Sequence, residues 1–378
     1  MSAVRIAVVG GGINGSGVAW ELARRDYDVT LFEKGRCGAQ TSAKTTKLIH
    51  GGIRYLERGH IGLVREALRE RAWLLEHLPQ LVRPIEFLLP VYDDSPRMRM
   101  TLWLGLSMYD ALAGRANIAP HRPIDVDELV ERAPVTRERL RGGFRFWDAQ
   151  TDDYAMARAV VASAIRDGAT VREETAVQSL QRDGKHWIVR TLADEQRFDF
   201  VVNAAGPWMN DLLAANGLRS RYLLSLVRGS HLLLKQRVAD VALLLQSMND
   251  RRVFFVLPWK GTTLVGTTEV VHEEPMNGVV ASEEEIDYLI ARFNRYFRDP
   301  ISRRDVAATF AGVRPLVGRA ANPSAIGREY RIERHDNAIN IFGGKMTTFM
   351  SLARKVGMRV DNYFGLPRRP REACFVLT

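Results

Sequence analysis

The distribution of apolar and polar residues over the first 33 positions predicts a β-α-β unit. An apolar run over 4–9 is followed by closely spaced glycines, and a helical pattern then covers 13–25. A second apolar run, 27–32, ends at Glu33. Short apolar runs bounded by glycines are typical of buried strands, so the pattern indicates two parallel strands joined by a helix.

Helical periodicity recurs along the chain. Residues 61–78 carry apolar side chains at three- and four-residue spacing with charged residues between them, which predicts an amphipathic helix. Ser282 and Glu285 have the spacing of a capping box and predict the start of another helix. That helix is predicted over 282–297, and further helices are predicted at 98–112, 154–167 and 347–364.

Strand patterns dominate the second half of the chain. They predict strands at 174–180, 187–192, 198–205, 226–234, 253–257, 263–265 and 338–342. Earlier, Pro79, Pro84 and Pro90 interrupt the periodicity, and the charged stretch 120–134 is expected to connect back to the first sheet. A β-α-β start, a β-rich middle and a strand–helix end predict an α/β protein with a second, β-rich part.

The composition is that of a globular protein with an excess of positive charge. Of 378 residues, 46% are hydrophobic and 26% charged, which excludes a disordered or fibrous chain. The net charge is +10, and because only eight residues are lysine the excess is almost all arginine. Such a charge favours anionic partners, among them phosphorylated small molecules and acidic lipid. The arginines are scattered and no nucleic-acid motif occurs, so nucleic acid is not expected as a partner.

Cysteine content and hydropathy limit the cellular context. The two cysteines, Cys37 and Cys374, exclude a disulfide framework and a cysteine-based metal site, and they indicate a reducing compartment. No segment reaches about 18 uninterrupted apolar residues, and the start of the chain does not resemble a signal peptide. Any contact with a membrane is therefore expected to be peripheral.

Gly10, Gly12 and Gly15 form a G-x-G-x-x-G motif between the first strand and the first helix. The first glycine permits a tight turn, the second lets the backbone approach a pyrophosphate, and the third lets the helix pack closely on the strand. Glu33, at the end of the second strand, is placed to accept hydrogen bonds from ribose hydroxyls. The motif predicts a dinucleotide site without distinguishing FAD from NAD; the alternative is a glycine-rich turn beside a surface glutamate.

Six further segments carry a family resemblance. In chain order they read Lys-Leu-Ile-His-Gly-Gly-Ile-Arg-Tyr-Leu-Glu at 47–57, Asn-Ala-Ala-Gly-Pro-Trp at 203–208, Arg-Gly-Ser-His at 228–231, Gly-Thr-Thr-Glu at 266–269, Gly-Val-Arg-Pro-Leu at 312–316 and Phe-Gly-Gly-Lys-Met-Thr-Thr at 342–348. Together they closely resemble the FAD-dependent glycerol-3-phosphate dehydrogenases, members of the D-amino-acid-oxidase-like flavoprotein group. The resemblance covers nearly the whole chain and is most specific at 50–57 and 343–348.

This resemblance implies a doubly wound, Rossmann-like FAD-binding domain interleaved with a β-rich α+β substrate domain. The FAD domain is expected at 1–80, 145–216 and 306–378, and the substrate domain at 81–144 and 217–305. The chain departs from the family in lacking a usual C-terminal helical domain, in Glu269 where the family has Asp, and around Glu21 and 24–27. The missing domain leaves the oligomeric state open.

The resemblance also implies an enzyme that oxidises sn-glycerol 3-phosphate to dihydroxyacetone phosphate by hydride transfer to flavin N5. Electrons are expected to pass to a membrane quinone or another acceptor. Such a reaction needs a base for the hydroxyl proton and cations for the phosphate. His50 is the expected base, assisted by Arg314, because an imidazole can accept a proton near neutral pH. The alternative is that His50 only orients the flavin; His231 is expected to be structural.

The remaining site residues also follow from the resemblance. The residues expected to bind substrate are Arg54, Tyr55, Thr268, Arg314 and Lys345. The residues expected to bind FAD are Gly10, Gly12, Ile13, Asn14, Gly15, Glu33, Ser42, Thr45, Thr46, Lys47, Leu48, His50, Gly51, Val177, Ala205, Gly206, Trp208, Gly344, Lys345, Met346, Thr347 and Thr348. No metal is expected.

Two other functions stay open from the sequence: FAD-dependent oxidation of another small anionic hydroxy or amino acid, and flavin binding without turnover. The helix at 98–112, with Arg97, Arg99 and Arg115 beside it, is expected either to lie on an anionic membrane surface or to be a core helix. The protein is expected in the cytoplasm, with the cytoplasmic face of the inner membrane as the alternative location.

Overall fold

The computed structural model describes residues 3–247, 252–318 and 326–377, and the chain divides into two compact units. The first unit comprises Met1–Thr45, Asp152–Val227 and Arg314–Thr378, and the second comprises Thr46–Thr151 and Arg228–Val313. The strands are β1 Arg5–Val9, β2 Asp28–Phe32, β3 Leu48–Ile49, β4 Val82–Tyr92, β5 Arg122–Ile124, β6 Leu140–Thr151, β7 Thr170–Arg172, β8 Ser179–Asp183, β9 His186–Arg190, β10 Glu195–Phe198, β11 Phe200–Asn203, β12 Leu224–Leu234, β13 Ala242–Gln246, β14 Val253–Trp259, β15 Thr262–Gly266, β16 Val270–Val271, β17 Val306–Val317, β18 Arg331–His335 and β19 Ala338–Phe342. The α-helices are α1 Ile13–Ala23, α2 Ile61–His77, α3 Arg99–Ala113, α4 Val126–Arg132, α5 Asp153–Arg166, α6 Met209–Ala215, α7 Glu283–Tyr296 and α8 Phe349–Phe364.

The first unit is built on a largely parallel sheet in the order β18-β19-β11-β1-β2-β7. β1 pairs in parallel with β2 and β11, and β11 pairs in parallel with β19, whereas β18 is antiparallel to β19. Ile6, Ala7 and Val8 of β1 are fully buried, as expected for a parallel strand covered on both faces. The predicted β-α-β start is confirmed. Because the parallel strands end at one edge, the loops that follow them lie together.

A buried ionic cluster joins the carboxyl end of α1 to α8. Glu21 accepts hydrogen bonds from Arg24 Nη1 at 2.9 Å and from Arg25 Nε and Nη2 at 2.9 and 2.7 Å. Arg25 also pairs with Asp361 of α8, and Tyr27 donates its hydroxyl to the same carboxylate at 2.8 Å. We call these five residues the Glu21 cluster. Two acids face two arginines here, so the buried charges compensate one another.

The second unit contains a mixed sheet in the order β16-β12-β15-β14-β13-β4-β6-β3, with β17 beside β12 and β5 beside β6. Successive side chains of β4 point to opposite faces of the sheet, as expected for a pleated strand. Leu88 packs in one hydrophobic cluster with Leu289 and Phe293 of α7, whereas Phe87 packs in another with Leu106 of α3. The predicted capping box of α7 is confirmed, since Glu285 N donates to Ser282 Oγ at 3.3 Å and the reciprocal bond is present.

One long strand was not predicted, and two local predictions are wrong. Pro84 and Pro90 lie in the long strand β4. Pro90 adjoins a register shift in the pairing with β6, and β13 pairs with β4 at Phe87 and Leu88, between the two prolines. Such positions tolerate a missing N–H. The stretch 120–134 does not return to the first sheet, because β5 and α4 pack on β6 in the second unit. The strand predicted at 174–180 begins only at Ser179.

The two units differ from the predicted domain boundaries mainly in residues 46–80. These residues were assigned to the FAD domain, but they cluster with the second unit. The physical reason is that Leu48 and Ile49 of β3 pair with β6, and that α2 packs against α3. Residues 145–151 and 306–313 also group with the second unit, and 217–227 with the first.

No helix within the described ranges 3–247, 252–318 and 326–377 is long and apolar enough to cross a bilayer.

Candidate functional site

Many of the residues expected to bind FAD follow the carboxyl ends of strands in the first-unit sheet. Gly10 follows β1, Glu33 follows β2, Ala205 comes two residues after β11 and Gly344 two residues after β19. Because these strands are parallel neighbours, their following loops meet at one edge of the sheet. Ligands of open α/β sheets bind at this edge.

The glycines of the first loop serve different purposes. Gly10 has φ +104°, and a Cβ there would lie 2.6 Å from Ala204 O; a Cβ on Gly15 would lie 1.8 Å from Gly10 O. The protein's own packing therefore requires both. Gly12 has φ −67°, and a Cβ there would have its nearest neighbour at 3.4 Å, on Ser42 Oγ. Neither backbone strain nor protein packing requires Gly12, which fits a position left open for the close approach of a phosphate.

The start of α1 is arranged to attract an anion. The helix has no acidic residue in its first turn and no side-chain cap from Gly12. Ser42 Oγ, held in a short 3-10 helix at Thr41–Ala43, accepts a hydrogen bond from Ile13 N at 2.9 Å. The other N–H groups of the first turn retain the positive end of the helix dipole, which suits a pyrophosphate.

Glu33 uses its two carboxylate oxygens to shape the loops around it. Gly11 N donates to Oε2 at 2.7 Å and Gly35 N donates to Oε1 at 2.9 Å. A carboxylate has about four acceptor sites, so each oxygen can still accept from a ribose hydroxyl. The half-buried position at the end of β2 is compatible with that expected role.

The Gly206-Pro207-Trp208 segment forms a short 3-10 helix after β11. The Lys34 ammonium lies 3.5 Å from the centre of the Trp208 ring, and burial lowers the pKa of Lys34. Asn203 accepts from Ala205 N through Oδ1 at 3.2 Å, while its buried Nδ2 has no hydrogen-bond partner among the described residues. A buried amide donor at this edge fits a polar ligand. Lys34 is a further cation at this edge of the sheet, and no sequence pattern beyond its adjacency to Glu33 indicates it.

The Gly343-Gly344 turn is tied directly to the start of α1. Asn14 Nδ2 donates to Gly343 O at 3.0 Å, and a Cβ on Gly344 would lie 2.4 Å from that same nitrogen. Gly344 has φ +109°, so a side chain is disfavoured there on both counts. Asn14, expected to contact FAD, thus also holds the two loops together.

A 3-10 helix, Met346–Thr348, follows Lys345 and leads into α8. Met346, Thr347 and Thr348 are buried, and the first turn of α8 has no acidic residue. Among the described residues, Thr348 Oγ1 has no hydrogen-bond partner. A buried, unsatisfied hydroxyl at a helix start fits a polar ring system that gathers negative charge.

Arg314 and Lys345 lie on adjacent segments of the first unit. Pro315 O and Val317 Cγ2, which follow Arg314 in β17, would be 3.6 and 3.2 Å from a Cβ placed on Gly343. Both cationic side chains are half-buried. Two of the three cations expected to bind a phosphate are therefore neighbours in the fold.

Two expected FAD contacts of the first unit have weaker structural support. Thr45 directs its N–H and its hydroxyl to Asp153 Oδ2 at 2.9 and 2.8 Å, so its proton is committed to the protein. Val177 lies in an irregular segment before β8 rather than in the expected strand. Both assignments stay predictions.

The residues expected around the substrate in the second unit centre on one loop. It begins at β3, passes through His50, Gly51 and Gly52, and continues as a 3-10 helix from Ile53 to Arg58. This 3-10 helix carries Arg54 and Tyr55. Leu48 lies in β3, and Lys47, which has φ +60°, directly precedes that strand. A Cβ on Gly51 would lie 2.5 Å from Tyr109 Oη, and one on Gly52 would lie 2.2 Å from Tyr55 Cε2. Only glycine fits both positions without displacing these tyrosines, and His50 and Arg54 lie on either side of the two glycines.

The Thr268 hydroxyl takes part in the structure of the second unit. It accepts from Ser230 N at 2.8 Å and donates to Glu285 at the start of α7. Arg228 pairs with the same carboxylate at 2.8 Å. Because its proton is directed at Glu285, Thr268 is placed to accept rather than donate a further hydrogen bond. Its expected contact with substrate stays a prediction.

His231 is fully buried and packs among residues of the second unit. Its ring stacks on Phe310 with centroids 4.7 Å apart, and Nε2 lies 3.0 Å from Thr46 Oγ1. Gly266 must be glycine, since a Cβ there would lie 2.2 Å from His231 Cδ2. These contacts agree with the structural role expected for His231, and they engage the hydroxyl of Thr46, which was expected to contact FAD.

No cluster of three or more His, Cys, Asp or Glu side chains suited to a metal occurs in the described part of the chain.

Cys37 is buried, and burial raises its thiol pKa, as do the neighbouring carboxylates Glu173 and Glu33. A thiol that stays protonated is a poor nucleophile, which agrees with an idle cysteine.

Comparison with known proteins extends this picture. Residues 5–355 match the family model described as FAD-dependent oxidoreductase (DAO). D-erythritol 1-phosphate dehydrogenase of Brucella abortus is 38% identical over 94% of this chain and 73% of its own length. Aerobic glycerol-3-phosphate dehydrogenase of Escherichia coli is 33% identical over 95% of this chain and 74% of its own length.

Solved structures share the fold. Glycerol-3-phosphate dehydrogenase from Bacillus halodurans, complexed with FAD, aligns with a TM-score of 0.76 at 24% identity, covering 98% of this chain and 66% of that one. The expected fold class, an α/β FAD-binding part with a β-rich part, is confirmed, as is FAD as the cofactor. The matched family model spans most of the chain and the loops at the sheet edge suit a dinucleotide, and this chain therefore belongs to the DAO family of FAD-dependent oxidoreductases.

Proposed function

We propose that this protein oxidises the secondary alcohol of a small polyol phosphate, with sn-glycerol 3-phosphate as substrate and dihydroxyacetone phosphate as product. The observation that carries the proposal is the pair of cations Arg314 and Lys345 on adjacent first-unit segments. The family resemblance adds a third cation, Arg54, on the loop of His50. Three cations exceed what one carboxylate needs and suit a phosphate dianion. Relatives named glycerol-3-phosphate dehydrogenase, 33–35% identical over most of the chain, support the same choice.

Each residue has a distinct task in this proposal. Bound FAD supplies a two-electron acceptor for the hydride that leaves the carbinol carbon. His50 accepts the hydroxyl proton as the C=O bond forms, and Arg314 stabilises the developing negative charge on oxygen. Arg54 and Lys345 bind the phosphate and thereby fix the reacting carbon, so binding energy far from the reacting bond is used to orient it.

A second candidate is a four-carbon polyol phosphate. D-erythritol 1-phosphate dehydrogenase is 38% identical to this chain, against 33% for the Escherichia coli glycerol-3-phosphate dehydrogenase. The chemistry at the reacting carbon is the same for both substrates, since each offers a secondary alcohol and a phosphate. The two candidates differ in the room required for one additional hydroxymethylene group.

An anaerobic titration of the purified flavoprotein distinguishes the candidates. Flavin absorbance is followed while sn-glycerol 3-phosphate, D-erythritol 1-phosphate, glycerate, lactate or glycine is added. The proposal predicts that a polyol phosphate bleaches the flavin and that the carboxylates do not. Bleaching by glycine or lactate alone would replace the proposed substrate class, and a flavin that no compound bleaches would favour a binding module without turnover.

We further propose a peripheral contact with an anionic membrane and a quinone as electron acceptor. Helix α3 buries Leu102 and Leu106 in the second unit while Met100, Trp103 and Leu104 are 66, 44 and 55% exposed. Its inner face therefore fits a core helix, and its outer face fits the headgroup region of a bilayer, with arginines nearby to attract acidic lipid. Cosedimentation with anionic liposomes tests this, and failure to pellet at low salt contradicts it.

A further inference from the structure

The loop that carries His50 and Arg54 is held at its centre by a buried side-chain network of the second unit. Gly51 N donates a hydrogen bond to Tyr109 Oη at 2.8 Å, and the same N–H lies 3.4 Å from Asp148 Oδ1. Gly51 is thus one point at which the loop is attached to the rest of the unit. We call Gly51, Arg71, Tyr109 and Asp148 the Gly51 anchor.

The anchor draws its side chains from three separate elements. Tyr109 of α3 donates its hydroxyl proton to the Asp148 carboxylate, whose two oxygens both lie 2.8 Å away. Arg71 of α2 donates from Nη1 to Asp148 Oδ1 at 2.7 Å and to Trp147 O at 3.2 Å. Asp148 itself lies in β6, directly before the residues that pair with β3. Loop, strand and two helices therefore converge on one carboxylate.

Burial makes this network sensitive to the loss of any member. The exposed fractions of Arg71, Tyr109 and Asp148 are 0, 1 and 4%, so water cannot replace a missing partner. Burial, together with the Asp148 charge, raises the pKa of Tyr109 well above its usual range and keeps its hydroxyl protonated. Burial alone would lower the pKa of Arg71, but the charge of Asp148 and its hydrogen bond, together with the neighbouring Tyr109 and Asp110, outweigh burial and raise that pKa.

The hydrogen bonds have a fixed direction as a result. Arg71 and the Tyr109 hydroxyl both donate to the carboxylate, which leaves the tyrosine oxygen free to accept from Gly51 N. A phenylalanine at 109 would leave the Gly51 amide with an acceptor no nearer than 3.4 Å, beyond the range of a good hydrogen bond. The amide would then be a buried donor without a proper partner.

We propose that Tyr109, with Asp148 and Arg71 behind it, is a positioning residue that sets the places of His50 and Arg54 through the Gly51 backbone. The inference rests on the proposed function, in which those two residues serve the proton and the phosphate. His50 is one residue before Gly51 and Arg54 three residues after it, so a shift of this amide moves both. Misplacement by about 1 Å can cost a reaction up to about a hundredfold.

The test compares Tyr109→Phe with Tyr92→Phe in the FAD-loaded protein. Tyr92 is a matched control, because it is also buried in the second unit and donates its hydroxyl to a backbone oxygen, Thr136 O, at 3.0 Å. Anaerobic stopped-flow mixing with sn-glycerol 3-phosphate or D-erythritol 1-phosphate gives the reduction rate per bound flavin and the substrate Kd. Normalising to bound flavin removes the effect of any unfolded fraction.

We expect Tyr109→Phe to reduce its flavin at least about tenfold more slowly and to bind substrate several-fold more weakly, because both His50 and Arg54 shift. Tyr92→Phe should stay within about twofold of the wild type in both quantities. If Tyr109→Phe matches Tyr92→Phe in rate and Kd per bound flavin, the positioning role is overturned.

Hydrogen exchange provides a second test of the anchor, which needs neither a variant protein nor catalytic turnover. In the wild-type holoprotein the amide of Gly51 should be protected, measured on fragments spanning 49–54. Exchange of that amide at the rate of an unstructured chain would overturn the anchor even if Tyr109→Phe fails to fold. If no polyol phosphate reduces the wild-type flavin, the proposed function fails on its own, and the exchange result still decides whether Gly51 is anchored.

Discussion

Each unit contains a buried ionic cluster, and the two clusters differ in what they hold. The Glu21 cluster joins side chains of α1 and α8, and among the described residues none of its hydrogen bonds reaches a loop at the carboxyl edge of the sheet. The Gly51 anchor joins α2, α3 and β6 to a backbone amide beside His50. Similar charges at similar burial thus fasten helices in one unit and position a reactive loop in the other. What a buried ionic cluster does therefore depends on which group outside it is hydrogen-bonded to it.

The largest expected effect follows from removing the central acid of the Glu21 cluster. Glu21→Gln should lower the free energy of unfolding by about 3–5 kcal/mol, because the buried Arg24 loses the carboxylate it pairs with and Arg25 is left with Asp361 alone. Flavin reduction per bound flavin should stay within about twofold of the wild type. Chemical unfolding and stopped-flow reduction measure the two quantities.

The exposed Glu372 provides the control, and Glu372→Gln should change neither quantity. Either of two results for Glu21→Gln would remove the distinction between the two clusters. One is an unchanged free energy of unfolding, and the other is slow flavin reduction in a protein that remains stable.

His50→Gln should lower the rate of flavin reduction by at least about a hundredfold with little loss of stability, since the base is lost and the loop keeps its Gly51 attachment. The comparison is with His231→Gln, which should lose stability more than rate, because His231 is fully buried against Phe310. Stopped-flow reduction gives both rates. A larger rate loss in His231→Gln would transfer the base role to His231.

Gly12→Ala should weaken FAD binding by about tenfold, comparable to the loss of one hydrogen bond, because the added methyl occupies the open side of the loop. Gly105→Ala in α3 is the matched control, since a Cβ there meets nothing within 4 Å. Fluorescence titration of the apoprotein with FAD measures both affinities. Equal affinities in the two variants would show that Gly12 is not the point of close approach.

The smallest effect concerns a first-unit counterpart of the Gly51 anchor. Glu173 accepts from Cys37 N at 2.8 Å and pairs with Arg158, and Cys37 lies directly against Gly11. Burial alone would raise the pKa of Glu173, but these donors outweigh it and hold that pKa below its usual value of 4.5. The stabilisation is therefore complete above pH 4.5 and is lost as the pH falls toward the lower folded-state pKa.

Glu173→Gln should accordingly cost about 1 kcal/mol of unfolding free energy at pH 7 and less at pH 4. Urea unfolding of the wild type and the variant at both pH values gives the two differences. A difference that grows on acidification would contradict the assignment.

The first β-α-β unit and the α7 capping box could be predicted because their signals are local. Gly10, Gly15 and Glu33 act within a few residues of the strands they follow, and Ser282 and Glu285 lie on one helical turn. The same holds for Gly52, where a Cβ would meet the ring of Tyr55 three residues later. Local sequence spacing contains all of this information.

The Gly51 anchor could not be predicted, because its members are distant in sequence. Arg71 lies 77 residues from Asp148, and Tyr109 lies 58 residues from Gly51. Nothing in a single sequence indicates that these residues meet. The strand β4 was missed for a related reason, since pairing with β6 and a register shift near Pro90 offset the proline signals.

The central claim is that the site is built to hold a phosphate while an alcohol is oxidised. The most direct test is the second-order rate constant of anaerobic flavin reduction by sn-glycerol 3-phosphate or D-erythritol 1-phosphate, divided by that for glycerol or erythritol without phosphate. The account predicts a ratio of at least about a thousand for one of the two pairs, since charge-assisted bonds to the phosphate contribute several kcal/mol. A ratio near one for both pairs would contradict it.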